Sequence, residues 1–187
     1  HTSTARHIAT KLCRRFIDDE PPSTAIDAVA TRFSRSDGSI PEVLRTLFHT
    51  EAFRSHRGGK FKQPMHLIAS ALRVTDAETD AGRPLLNFLT RMGHMPFEYP
   101  SPNGYEDAAD AWQGTLLWRW NFAARLGRRQ IKGTHLNRSR LSKRSGGLAK
   151  LVAHILNRKP SAEELAAVKA SDNPVGLLLA SPGFQWS

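Results

Sequence analysis

The chain has 187 residues, 40% of them hydrophobic and 24% charged, with 27 basic against 17 acidic side chains. That length buries a sizeable core, the composition is too apolar for a disordered tail, and no run of about 18 apolar residues offers a membrane span. The single cysteine, Cys13, excludes an internal disulfide framework, a multi-cysteine zinc site and a cysteine-ligated iron–sulfur cluster. There is no Rossmann glycine fingerprint, P-loop, nucleophile elbow or zincin histidine pair.

Helical periodicity runs through the chain. Ala5, Ile8, Ala9, Leu12, Cys13, Phe16 and Ile17 recur at three- and four-residue steps and form one apolar stripe. Pro21-Pro22 ends that helix, because a proline disfavours helical geometry in the residue before it. Ser23 is then the expected N-cap of a second helix, with Ile26, Val29, Ala30 and Phe33 inward. Ser39 and Glu42 stand at capping-box spacing ahead of Val43, Leu44, Leu47 and Phe48. Further helices are predicted over 64–74, 83–92, 107–126, 147–157 and 162–170, with Gly93 and Gly127 as terminators and Ser161/Glu164 as a second capping box. No segment alternates like a hairpin-bounded strand. The expected fold is all-α, an irregular multi-helix bundle.

Residues 1–54 and 148–187 repeat one punctuation: apolar helix, Pro-Ser break, second helix, Ser-Asp break, third helix, then a phenylalanine-bearing close. The expectation is one helical domain over 1–187, read either as two three-helix units flanking an insert over 55–147 or as chance likeness among helix caps.

The positive charge is concentrated. Residues 111–162 contain no Asp or Glu but twelve of the basic side chains, and the rest of the chain is close to neutral. Arg125, Arg128, Arg129, Lys132, Arg138, Arg140, Lys143 and Arg144 form the densest part and are the candidate polyanion-binding residues. Few large apolar residues accompany them, so the stretch is predicted to be an exposed excursion without a strong helix. The plain alternative is a solvated basic surface, or one lying against acidic groups of another part of the protein.

Residues 94–112 are the most unusual segment. Pro96, Pro100 and Pro102 stiffen it, Asn103-Gly104 signals a turn, and Phe97, Tyr99 and Tyr105 alternate with His94, Glu98, Glu106, Asp107 and Asp110. Trp112, Trp118, Trp120 and Asn121 follow. Aromatic faces beside carboxylates and cations suit gripping a sugar, a peptide or a partner chain. The ligand-binding candidates are therefore His94, Glu98, Tyr99, Asn103, Tyr105, Glu106, Asp107, Trp112, Trp118 and Asn121. The competing reading makes the loop a wrapper of the core, with Phe97, Tyr105 and Trp112 as plugs and Asn121 bonding loop backbone. His94 between Met92 and Met95 has soft-metal character, yet a lone His at a helix end more often packs; no metal or cofactor is expected.

The opening HTSTARHIATKLCRRFIDDEPP, the SDGSIPEVLRTLFHTEAF and KFKQPMHLIASALR segments, the MGHMPFEYPSPNGYEDAADAW…LLWRWNFAARL block and the closing LLLASPGFQ together resemble a bacterial family, the one catalogued as domain of unknown function 1800. Its members are usually more than twice this length, which implies that this chain is a C-terminal portion whose N-terminal part is cleaved off or is a separate chain. The resemblance also implies export to the periplasm or beyond, often beside a sulfatase-like protein, and it carries no established activity. Three functions follow as expectations. The first is a non-catalytic helical portion for binding or assembly at the cell envelope. The second is part of a hydrolase-like enzyme completed by the missing half. The third is a non-specific polyanion binder.

Overall fold

The computed structural model describes residues 1–56 and 58–186, apart from the side chains of Arg138, Ser142, Arg144 and Ser145. Among the described residues there are thirteen helices and one two-residue antiparallel ladder, so the protein is all-α. The chain divides into two compact units, one of residues 1–61 with 107–109, the other of 62–106 with 110–186.

The first unit holds α1 (Thr2–Phe16), α2 (Ser23–Arg35), α3 (Ile40–Phe48) and α4 (Glu51–Ser55). Its core is built from Ala9, Cys13, Ile17, Ala25, Val29, Val43 and Leu47. Small residues at Ala5, Ala9 and Ala25 let α1 and α2 approach closely, and the predicted stripe of α1 is the buried one apart from Phe16. Phe16 and Phe48 stay partly exposed and meet edge to face at 5.5 Å. Burial pushes the Cys13 thiol up to about 11, which keeps it protonated and unreactive.

Two expected caps differ. Ser23 is the first helical residue of α2 rather than its cap, because Pro22 occupies the cap position. Ser39 caps α3 without a side-chain bond: Pro41 leaves fewer N–H groups to satisfy, and Glu42 turns to Arg32 at 3.2 Å instead. The pair Ser161/Glu164, by contrast, forms the complete reciprocal box at the start of α11 (Ala162–Ala170).

The charged centre of the first unit is Lys60. Its ammonium contacts the Asp19 carboxylate and lies 3.2 Å from Asp107, which also receives Arg15 at 2.6 Å. The other oxygen of Asp19 accepts the Ala109 N–H at 2.8 Å. These bonds hold residues 107–109 in non-helical loop backbone. The helix predicted over 107–126 therefore starts later and is broken, as α7 (Asp110–Gln113) and α8 (Leu116–Gly127). The break sits at Gly114-Thr115, where the Thr115 hydroxyl bonds back to the Trp112 carbonyl at 2.6 Å.

The second unit is organised around α8. Phe122, Ala123 and Leu126 face a core shared with Leu67, Ile68 and Ala71 of α5 (Pro64–Val74) and Leu85, Phe88, Leu89 and Met92 in and just after α6 (Arg83–Arg91). Val152, Ile155 and Leu156 of α10 (Leu148–Leu156) and Leu178 and Leu179 of α12 (Pro174–Ala180) complete it. Gly127 does not end α8 as expected; it lets α12 approach. A Cβ there would lie 2.2 Å from the Asn173 Oδ1 that caps α12, and the left-handed position after the helix is taken by Arg129 at φ 62°. The ladder pairs β1 (Glu78–Thr79) with β2 (Thr134–His135), the one extended pairing among the described residues.

The basic stretch corrects an expectation. Arg138–Ser145 forms helix α9, anchored because Ile131, Leu136 and Leu141, few as they are, are all buried. Arg128 pairs with Asp172 at 3.1 Å and Arg140 lies 3.7 Å from Glu78, so part of this charge is met by the chain's own carboxylates.

Replacing Asp19 with Ala leaves the mostly buried Lys60 ammonium and the Ala109 amide short of a partner, and should cost about 2–3 kcal/mol in urea unfolding. A change under about 0.5 kcal/mol, the range of a surface substitution, would show that the cluster is not structural.

Candidate functional site

The site grows out of the end of α6. Gly93 at φ 69° takes the left-handed position that stops the helix, and the His94 N–H returns to the Leu89 carbonyl at 2.9 Å. The loop then folds on itself: the Tyr105 hydroxyl donates to the Met95 carbonyl at 2.6 Å, and the Gly104 N–H to the Ser101 carbonyl at 3.2 Å. The carbonyl of Glu106 accepts both the Trp112 indole N–H and the Gln63 amide, each at 3.0 Å. Three prolines limit the alternatives, and these bonds select one loop conformation.

Within the loop the rings form a continuous series. Tyr99 lies 4.7 Å from Tyr105, Tyr105 lies 4.3 Å from His94, and His94 stacks on Trp112 at 4.9 Å with only 25° between planes. Trp112 is buried at the base, while Tyr99 is open to solvent at the rim. His94 Nδ1 accepts the Met65 N–H at 3.3 Å. Burial, and secondarily the positive charge of Arg119, holds the His94 imidazole below its usual range, so it is neutral near pH 7. Met92 is a core residue, and His94 is engaged with rings and backbone; among the described residues no three His, Cys, Asp or Glu side chains gather as a metal group.

Beneath Trp112 lies a chain of buried polar groups. Arg119 is fully buried; its Nε donates to the Thr115 hydroxyl at 2.8 Å and its Nη1 to the Gln185 Oε1 at 3.0 Å. Gln185 donates to the Leu179 carbonyl at 2.8 Å and its own carbonyl receives the Lys62 N–H at 2.8 Å. The Lys62 ammonium sits 3.9 Å over the Phe184 ring and donates to the Phe184 carbonyl. Burial lowers Arg119 to about 10 and Lys62 to about 8, so both remain mainly charged at neutral pH.

Among the described residues, this unit opens a cleft at the loop and another between α6 and α8. The first, about 390 Å³, is lined by Thr90, Gly93, Met95, Glu98, Tyr99, Pro100, Tyr105, Glu106, Ala111 and Trp112. The second, about 530 Å³, lies between α6 and α8 and is lined by Pro84, Asn87, Phe88, Arg91, Trp118, Asn121, Arg125, Gln130 and Ile131. Aromatic rings and two carboxylates mark the first; two guanidinium groups and three amides mark the second.

The ligand-binding candidates thus separate. Glu98, Tyr99, Tyr105, Glu106 and Trp112 share the first cleft, with His94 stacked among their rings. Trp118, Asn121 and Arg125 share the second. Asn103 is exposed in the Ser101–Gly104 turn and lines neither cleft. Asp107 is committed to Lys60 and Arg15. Of the wrapper reading, Trp112 and the Tyr105 hydroxyl bond agree with it. Phe97 does not: it is fully exposed at φ 66°, because the turn at Met95–Glu98 points it outward. Asn121 faces the second cleft rather than bonding the loop. Arg129, Lys132, Arg140 and Lys143 are exposed outside both clefts, and the side chains of Arg138 and Arg144 lie outside the described residues.

Sequence reasoning missed Arg119, Thr115, Gln185 and Lys62, and in the second cleft Asn87, Arg91 and Gln130. Arg119 was legible: with Phe122, Ala123 and Leu126 it falls on the i, i+3, i+4, i+7 stripe that faces inward.

A family model described as Protein of unknown function (DUF1800) matches residues 1–186. The chain belongs to this family. No curated protein matches it, and no solved structure does. Among the described residues of this DUF1800 chain, no helix is long and apolar enough to cross a membrane.

Trp112→Ala should destabilise the fold by about 3–5 kcal/mol, as for a buried aromatic, and Tyr105→Phe by about 1 kcal/mol for its single hydroxyl bond. Urea unfolding checks both; a Trp112→Ala protein that unfolds like the parent would contradict the packing of the ring series.

Proposed function

We propose that this DUF1800 chain is a non-catalytic binding portion of a larger exported protein, and that its loop cleft seats a neutral, hydroxyl-rich ring, a sugar unit of an envelope polysaccharide. The observation that carries this reading is the rim-to-base series Tyr99–Tyr105–His94–Trp112 bordered by Glu98 and Glu106. Flat aromatic faces stack on the C–H faces of sugars, and carboxylates accept their hydroxyls. The two carboxylates disfavour an anionic ligand. A neutral His94, held between rings with its Nδ1 on backbone, supports positioning rather than proton transfer.

The resemblance to exported bacterial proteins supports a periplasmic or secreted location. It also supports two partners: an N-terminal part of the same protein, cleaved or separate, and a sulfatase-like envelope protein. The enzyme alternative keeps one foothold, the pair Glu98 and Glu106 in a single cleft. The polyanion alternative is weakened by Arg128 and Arg140 having carboxylates of their own.

The test is calorimetric titration with the trimer of N-acetylglucosamine, with reducing ends assayed in parallel. Binding should be weakened about tenfold by Tyr99→Ala at an unchanged melting temperature, the scale of a lost stacking contact, and no reducing ends should appear. Affinity indifferent to Tyr99→Ala would remove the sugar from this cleft. Reducing ends that vanish in Glu98→Gln/Glu106→Gln would make the cleft an active site.

A further inference from the structure

The second cleft has the opposite chemistry and belongs to no role described so far. Its α8 wall presents Trp118, Asn121 and Arg125, spaced to fall on one face of the helix, and its α6 wall presents Arg91 and Asn87. No acidic side chain lines it. Neither Arg91 nor Arg125 has an ion-pair partner among the described residues, unlike Arg128 and Arg140 nearby in the chain. The Arg91 guanidinium lies 5.0 Å above the Trp118 ring, so the indole holds it in place without satisfying its hydrogen-bonding edge. A fork fixed on an aromatic platform loses little freedom when it meets an oxyanion, and such forks suit carboxylate and phosphate geometry. The amides of Asn87, Asn121 and Gln130 supply further donors and acceptors, while Phe88 and Ile131 provide a buried apolar floor.

We propose that this cleft binds a small anionic sugar, one that carries a carboxylate or phosphate on a hydroxylated ring, with Arg91 and Arg125 clamping the oxyanion and the amides reading the hydroxyls. Its volume of about 530 Å³ is that of a small-molecule pocket. The charge separates it from the loop cleft, whose carboxylates repel such a ligand, so the two proposals stand or fall independently.

Glucuronate, glucose 6-phosphate, glucose and inorganic phosphate are titrated by calorimetry into the full chain, with the Trp118 indole N–H followed by nitrogen-edited NMR. Glucuronate or glucose 6-phosphate should bind and shift that resonance, whichever of the two distinguishing a carboxylate from a phosphate source. Glucose and inorganic phosphate should each bind at least about tenfold more weakly, since each lacks half of the recognition. Arg91→Gln and Arg125→Gln should each lose about tenfold in affinity at unchanged melting temperature, and Arg129→Gln, exposed outside the cleft, should lose none. The proposal is overturned if Arg129→Gln weakens binding as much as the cleft variants, if inorganic phosphate binds as tightly as the sugar phosphate, or if neither anionic sugar binds at about 10 mM.

Discussion

A fully buried guanidinium governs the second unit. Arg119 sits on the inward stripe of α8, between residues that would otherwise make an ordinary apolar seam, and a charge in that position must find hydrogen-bond partners or cost several kcal/mol. It finds them in Thr115, one turn earlier, and in Gln185, near the end of the chain. Thr115 in turn holds the carbonyl of Trp112, and the Gln185 backbone holds Lys62 at the entrance to α5. One buried cation therefore fixes the break between α7 and α8, the seat of α13 (Pro182–Gln185) and the base of the ring series. Its field also helps keep His94 neutral.

The unit so organised presents two clefts of unlike charge. Their separation follows from the order of residues: the carboxylates of 98–106 precede the acid-free stretch that begins after Asp110, so the loop cleft is acidic while the α6–α8 cleft is basic. Most of the basic stretch plays neither part. Ile131, Leu136 and Leu141 root it in the fold, and among the described residues Arg128, Arg140 and Arg158 are each paired with a carboxylate. Net charge alone thus overstates how much of it is available to a polyanion.

Much of this was legible in the sequence because its signals were local. The α1 stripe, the helix over 64–74, the Ser161 box and the arrest of α6 at Gly93 each depend on residues a turn or two apart. The loop cleft was legible for the same reason, its candidates lying within twenty residues. What was not legible depends on distant partners. Asp107 left the predicted helix because Lys60 and Arg15 claim it, Gly127 serves Asn173 rather than a helix end, and Gln185 matters because of Arg119. The second cleft joins α6 to α8 across the 94–109 loop, so Arg91 had no visible link to Arg125. A basic count treats Arg119 and Arg129 alike, although one is buried and the other solvated; only the apolar spacing distinguishes them.

Arg119 and Gln185 thus act as one buried unit on which the loop and α13 both depend. A double-mutant cycle in urea, with Arg119→Met, Gln185→Leu and the pair together, measures that coupling. Arg119→Met and Gln185→Leu should each cost about 2–4 kcal/mol, and the double variant little more than either alone, because breaking one partner already strands the other. Costs that simply add, or an Arg119→Met protein as stable as the parent, would mean that the two side chains do not depend on each other.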